Sequence, residues 1–163
     1  MTPTRPDIAV FGLGNRFRGD DALGPIAAQL IREFVPNTIP VYTDISDASS
    51  LLDLWDGLRL AVVIDCAVSG AQPGKIYRID AIADGLPERF TSTFSTHALS
   101  IGQALELGRT LGRLPDRLIV FAVEGARFDC GAPMSDEVIA SAVLVAKDVA
   151  GEISGLSPEV LCE

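Results

Sequence analysis

The chain is poor in most of the residues that announce a chemistry on sight. It has a single histidine, His97, so no contiguous His-x-x-x-His metal motif is available. Its three cysteines, Cys66, Cys130 and Cys162, are widely spaced and odd in number. No CxxC pair occurs, which argues against a zinc cage or a disulfide framework. Cys66 adjoins Asp65, but with one histidine in the chain it reads as a small buried hydrophobe rather than a nucleophile. Basic residues are outnumbered and the formal net charge is −9, which disfavours binding to nucleic acid. No apolar run is long enough to span a bilayer, and no apolar segment precedes the first strand as a secretion signal would. The expected location is therefore cytoplasmic, away from membranes. Aromatics make up only 6% of the chain, so its hydrophobic core must be built from Ala, Val, Leu and Ile.

Against that background one stretch stands out, Gly12-Leu13-Gly14-Asn15-Arg16-Phe17-Arg18-Gly19-Asp20-Asp21. It follows the apolar run Ile8–Phe11 and precedes a helical pattern starting near Leu23, so it reads as strand, glycine turn and helix start. A Gly-x-Gly turn there suggests a dinucleotide site, but the third glycine of that fingerprint is replaced by Phe17. Asp20 and Asp21 would also repel pyrophosphate from the positive end of the helix. One Asp could simply cap the helix. Two beside glycines at the carboxyl end of a strand point to a cation.

Strands are expected over 7–13, 39–43, 60–66, 75–79 and 117–123, and helices over 23–34, 48–55, 98–111 and 135–153. The first, third and fifth strands are nearly continuous apolar runs, as in a parallel sheet covered on both faces. The turn Ala71-Gln72-Pro73-Gly74 suggests that the fourth strand pairs antiparallel at an edge. Segment 80–96 lacks periodicity and reads as a long loop. Ser135 is placed to cap the last helix, with Asp136 and Glu137 in its first turn. The alternation gives an α/β fold with a mostly parallel sheet, one domain over 1–163, and a short tail at 156–163.

Ligand sites in such sheets gather beyond the carboxyl ends of the strands. The candidates there are Asp20 and Asp21 after the first strand, Asp44 and Asp47 after the second, Asp65 ending the third, and His97 before the third helix. Asp47 can equally cap the helix at Ala48, and Asp65 can serve an ordinary turn. A carboxylate ending an apolar strand, however, needs a partner or a metal. Asp21, Asp65 and His97 together form an O/O/N donor set suited to a borderline divalent ion such as Ni²⁺ or Zn²⁺.

With these residues in view, the chain resembles the nickel-dependent hydrogenase maturation endopeptidases. The resemblance rests on Gly12-Leu13-Gly14-Asn15 with Asp20-Asp21, on Val62-Val63-Ile64-Asp65, and on Ser95-Thr96-His97-Ala98-Leu99. It implies a three-layer α/β/α sandwich around a twisted sheet of about five strands. It implies an aspartyl-type endopeptidase that removes a C-terminal peptide from the precursor of a [NiFe] hydrogenase large subunit. By position, Asp21, Asp65 and His97 become the metal ligands, and Asp44 matches a further acidic position with a possible role as general base. The nickel is implied to arrive with the substrate, and no nucleotide is expected. Two departures stand out. Ala22 occupies a position where the family commonly has Gly, and Asp21 is one methylene shorter than the Glu found in some members. The competing readings are a metal-dependent hydrolase of this fold with another substrate, and a chaperone-like binder of the large subunit that does not cut it.

Overall fold

A computed structural model describes residues 6–45, 47–91 and 101–156. Five strands, β1 (Ile8–Leu13), β2 (Val41–Ile45), β3 (Leu60–Ala67), β4 (Ile76–Asp80) and β5 (Arg117–Glu124), form one sheet in the order β2-β1-β3-β5-β4. All neighbours are parallel except β4, which runs antiparallel to β5 at the edge. The helices are α1 (Leu23–Ile31), α2 (Ala48–Trp55), α3 (Glu88–Thr91), α4 (Ile101–Leu111) and α5 (Asp136–Ser154).

The strand pleat divides the core in two. Ala9, Phe11 and Leu13 of β1 face a cluster with α2 and α4 that includes Leu51, Trp55 and Leu105. Ile8 and Val10 face the opposite cluster, with Leu23 and Ile31 of α1 and Val145 of α5. β3 is buried along its whole length, which is why it reads as an apolar run broken only by Asp65. The result is the expected α/β/α sandwich. With few aromatics available, Trp55 is the largest buried side chain, and its indole N–H donates to the Arg113 carbonyl at 3.0 Å.

Several expected boundaries move for local reasons. α1 ends at Ile31 rather than at residue 34, because Pro36 disfavours helix in the residue before it. The chain tightens instead, with Phe34 N donating to Ile31 O at 2.9 Å. β2 begins at Val41 rather than 39, since Pro40 has no N–H for a ladder. The strand also runs on to Ile45, paired with Leu13, so Asp44 lies inside β2, not after it. Segment 80–96 is not wholly loop. Asp80 accepts from the amide of Ala83 at 3.0 Å, and the single turn α3 is pinned by fully buried Phe90, edge-on to Tyr77 at 5.0 Å. The start of the helix expected at 98, and the tail beyond 156, lie outside the described residues.

Candidate active site

The sheet order reverses between β1 and β3: from β1 the chain crosses to β2 on one side, and β3 lies on the other. The crevice at their carboxyl ends is the topological switch point where ligands bind in open α/β sheets. α1 approaches this point closely because glycines face each other there. A Cβ on Gly24 would lie 2.7 Å from Ile64 O and from Leu13 N, and a Cβ on Gly12 would lie 2.8 Å from the Ala28 Cβ. Gly24 thus provides the close helix–strand contact that Phe17 cannot. Phe17 itself is 78% exposed.

Between β1 and α1 the chain makes a tight turn. Gly14 has φ +127°, and the Asn15 side chain accepts from the Phe17 amide at 2.9 Å. A 3₁₀ turn over Gly19–Ala22 then buries both acidic residues. Ala22 has φ −73°, so the position does not require glycine, and the departure from the family pattern there costs nothing in backbone strain.

The two adjacent acids have different surroundings. Asp20 is fully buried and accepts from the amides of Ala126 (2.8 Å), Arg127 (2.9 Å) and Ser135 (2.7 Å). The Ser135 hydroxyl lies 2.9 and 2.7 Å from its two oxygens. Burial opposes ionisation, but these donors outweigh it and hold the carboxyl below the usual carboxylate range. Ser135 does stand at the N-cap of α5, but its side chain makes no cap bond and is directed to Asp20 instead. Asp21, 2% exposed, accepts from the Asn15 amide at 3.0 Å.

Asp65 ends the apolar part of β3 and is 1% exposed. One oxygen accepts from the Cys66 amide at 2.8 Å. Among the described residues the other, Oδ2, has no hydrogen-bond partner. Burial pushes the Asp65 carboxyl well above its ordinary range; the Cys66 amide works against this, and the charge of nearby Asp21 adds to it. Asp21 and Asp65 are therefore electrostatically coupled. The Cys66 thiol is buried and raised far from ionisation, chiefly by burial and then by the surrounding carboxylates, so it is no nucleophile.

The other candidates are placed differently. Asp44 is exposed in β2, and the width of two strand spacings, about 10 Å, separates it from Asp65 across β1. Asp47 caps α2, accepting from the Ser50 amide at 2.8 Å and hydroxyl at 2.7 Å. His97 lies outside the described residues. Among those described, no three His, Cys, Asp or Glu side chains form a metal cluster. Asp21 and Asp65 bring two carboxylates, and an unsatisfied buried oxygen of Asp65 is the kind of atom that a cation or a proton would complete.

A fourth buried acid, Glu124, was not anticipated. It ends β5, in register with Ala67 at the end of β3, and it accepts from the Ser69 amide and hydroxyl at 2.8 and 2.7 Å and from the Gly70 amide at 2.9 Å. The available signal was a lone acid closing the apolar run Leu118–Val123.

An α/β/α sandwich with coupled buried carboxylates at its switch point defines a class of enzyme-like domain. The model of the hydrogenase maturation protease family matches residues 46–152, and the chain belongs to that family of peptidases. The match includes Asp65 and His97 but not the Gly12–Asp21 turn. Structural likeness extends further. The hydrogenase maturating endopeptidase HybD from E. coli superposes with a TM-score of 0.76 at 23% identity, covering 91% of this chain and 93% of that one. HybD from Thermococcus kodakarensis gives 0.69 at 22%, covering 90% and 97%. HycI from T. kodakarensis KOD1 gives 0.67 at 20%, covering 94% and 96%. At these identities the likeness speaks for the fold. No curated protein sequence matches the chain.

Proposed function

We propose that this chain removes a C-terminal peptide from the nickel-loaded precursor of a [NiFe] hydrogenase large subunit. The observation that carries this reading is the buried, unpartnered Oδ2 of Asp65 beside Asp21, in a chain that belongs to the maturation protease family. A buried carboxylate oxygen left without a donor is costly unless something outside the described residues completes it.

In this reading the nickel is part of the substrate. Asp21 and Asp65, with His97 as third donor, meet it at the switch point, and a precursor without nickel offers them nothing to hold. Cleavage then acts as a checkpoint on metal loading. Water is activated by a carboxylate acting as general base. The base is either exposed Asp44, which accepts from the Thr43 hydroxyl at 3.4 Å, or one of the ligand carboxylates themselves. The proposed compartment is the cytoplasm; among the described residues no helix is long and apolar enough to cross a membrane.

The assay is intact-mass measurement of the precursor after incubation with the enzyme. Asp21→Asn keeps the shape and the acceptor for the Asn15 amide but removes the charge. It is expected to lower cleavage by roughly a hundredfold or more. Cleavage at the unaltered rate would remove Asp21 from the site. Co-elution of enzyme and precursor with no loss of mass would favour the binding-module reading.

A further inference from the structure

Four carboxylates are buried at the carboxyl edge of the sheet: Asp20, Asp21, Asp65 and Glu124. Asp20 and Glu124 are surrounded by donors from distant segments, whereas among the described residues one oxygen of Asp65 has none. We infer that Asp20 is a positioning residue, a latch that fixes Asp21 relative to Asp65 and takes no part in ligation. The inference rests on the reading of Asp21 and Asp65 as the working pair.

Saturation is the first argument. A carboxylate offers about four lone-pair directions. Those of Asp20 are taken by three amides and the Ser135 hydroxyl, which leaves none for a metal, a water or a proton. Detaching Asp20 would strand three amides at once, so it is held in place far more firmly than a ligand that must engage and release a substrate.

Leverage is the second. Asp20 and Asp21 are successive residues of one 3₁₀ turn and cannot move independently. The Asp20 amide donates to Arg127 O at 2.6 Å, the Asp21 amide to Arg18 O at 3.0 Å, and the Asn15 amide to the Asp21 carboxylate. The segment Asp20 grips is the continuation of β5. In β5, Ala122 stands in register with Asp65 of β3, four residues before Ala126. The path is therefore closed: Asp65, the β3–β5 ladder, the 126–135 segment, Asp20, Asp21. Through it the rigid sheet sets the separation of the two working carboxylates.

The test uses Asp20→Asn, Ser135→Ala and Ser135→Thr, with amide hydrogen exchange as a readout independent of cleavage. Asp20→Asn turns an amide N–H toward the protein donors. Exchange at the Asn15 amide is expected to rise about tenfold or more. The Ser69 and Gly70 amides, held by Glu124, should keep their protection. Ser135→Ala retains the three amide bonds, and so gives the same pattern more weakly even if Asp20→Asn fails to fold. Ser135→Thr keeps the hydroxyl and restores the parent behaviour. In cleavage, Asp20→Asn is expected to lower kcat, and with it kcat/KM for the precursor, by about a hundredfold, because the groups that hold the nickel are misplaced.

An equal rise in exchange at Asn15, Ser69 and Gly70 would make Asp20 a general stabiliser and overturn the inference. So would unchanged exchange at Asn15, or selective loosening there with kcat intact. Should the parent enzyme cleave no precursor, the functional reading fails by itself, and the exchange pattern still decides whether the latch exists.

Discussion

Asp65→Asn is expected to stop precursor cleavage and yet raise the stability of the protein. The side chains have the same shape, and Asn still accepts from the Cys66 amide. What is lost is a carboxylate at a site with almost no access to water and a second acid, Asp21, beside it. The negative charge is the quantity that the proposed chemistry uses, and cleavage should fall by roughly a thousandfold. The same charge is a burden on the fold. Replacing a buried carboxylate, one of whose oxygens has no partner among the described residues, by a neutral amide is expected to stabilise by about 1–3 kcal/mol. For a chain of this size each kcal/mol raises Tm by about 2–4 °C.

The pH dependence has a definite sign. The folded Asp65 carboxyl lies well above the ordinary value of 3.8. A raised acid contributes stability below the unfolded pKa and loses it as pH rises through the folded pKa. The Tm advantage of Asp65→Asn should thus be absent below the carboxylate range, open as pH climbs above 3.8, and level off beyond the raised value. Thermal melts across that window check this. A variant less stable than the parent at neutral pH would show that the charge supports the fold, contrary to the argument.

Gly24→Ala should have a large effect of the opposite kind. In a helix this exchange ordinarily stabilises by several tenths of a kcal/mol or more. Here the added Cβ would lie 2.7 Å from backbone atoms of both β1 and β3, and closer still to Leu13 O. Those atoms belong to the two central parallel strands and cannot give way singly, so α1 must lift from the switch point. A destabilisation of about 3 kcal/mol or more is expected. This corresponds to a fall in Tm of about 10 °C. Denaturant melts of the variant provide the check, and an unchanged or raised stability would contradict the close packing of α1 on the sheet.

Sequence reading succeeded where the cause was local or periodic. β1, β3 and β5 were visible because strands covered on both faces need apolar residues throughout. Of the two roles open to Asp47, the structure shows the local one, a cap whose partner Ser50 is three residues away. The antiparallel edge strand followed from the turn around Pro73-Gly74. What stayed hidden depended on distant partners. The Asp20 and Asp21 pair reads as one acidic feature, and only distant donors, the amides of Ala126, Arg127 and Ser135, set the anchor apart from its neighbour. Ser135 looked like a cap because its backbone is one, while its hydroxyl serves another element. Glu124 gave a faint sign at the end of β5, but its partners Ser69 and Gly70 come from beyond β3. Asp44 lies inside β2 because pairing resumes beyond an irregularity in the register, where Leu13 meets Ile45. Two of the three proposed ligands, Asp21 and Asp65, come together at the switch point, as the topology of an open α/β sheet favours.

On the proposed function this peptidase cuts only a precursor that carries nickel. The most direct measurement is intact-mass spectrometry of a [NiFe] hydrogenase large-subunit precursor from the same source, nickel-loaded and nickel-free, after incubation with the protein. Loss of a C-terminal peptide from the nickel-loaded form alone is the predicted result. Equal cleavage of both forms, or of neither, would contradict it.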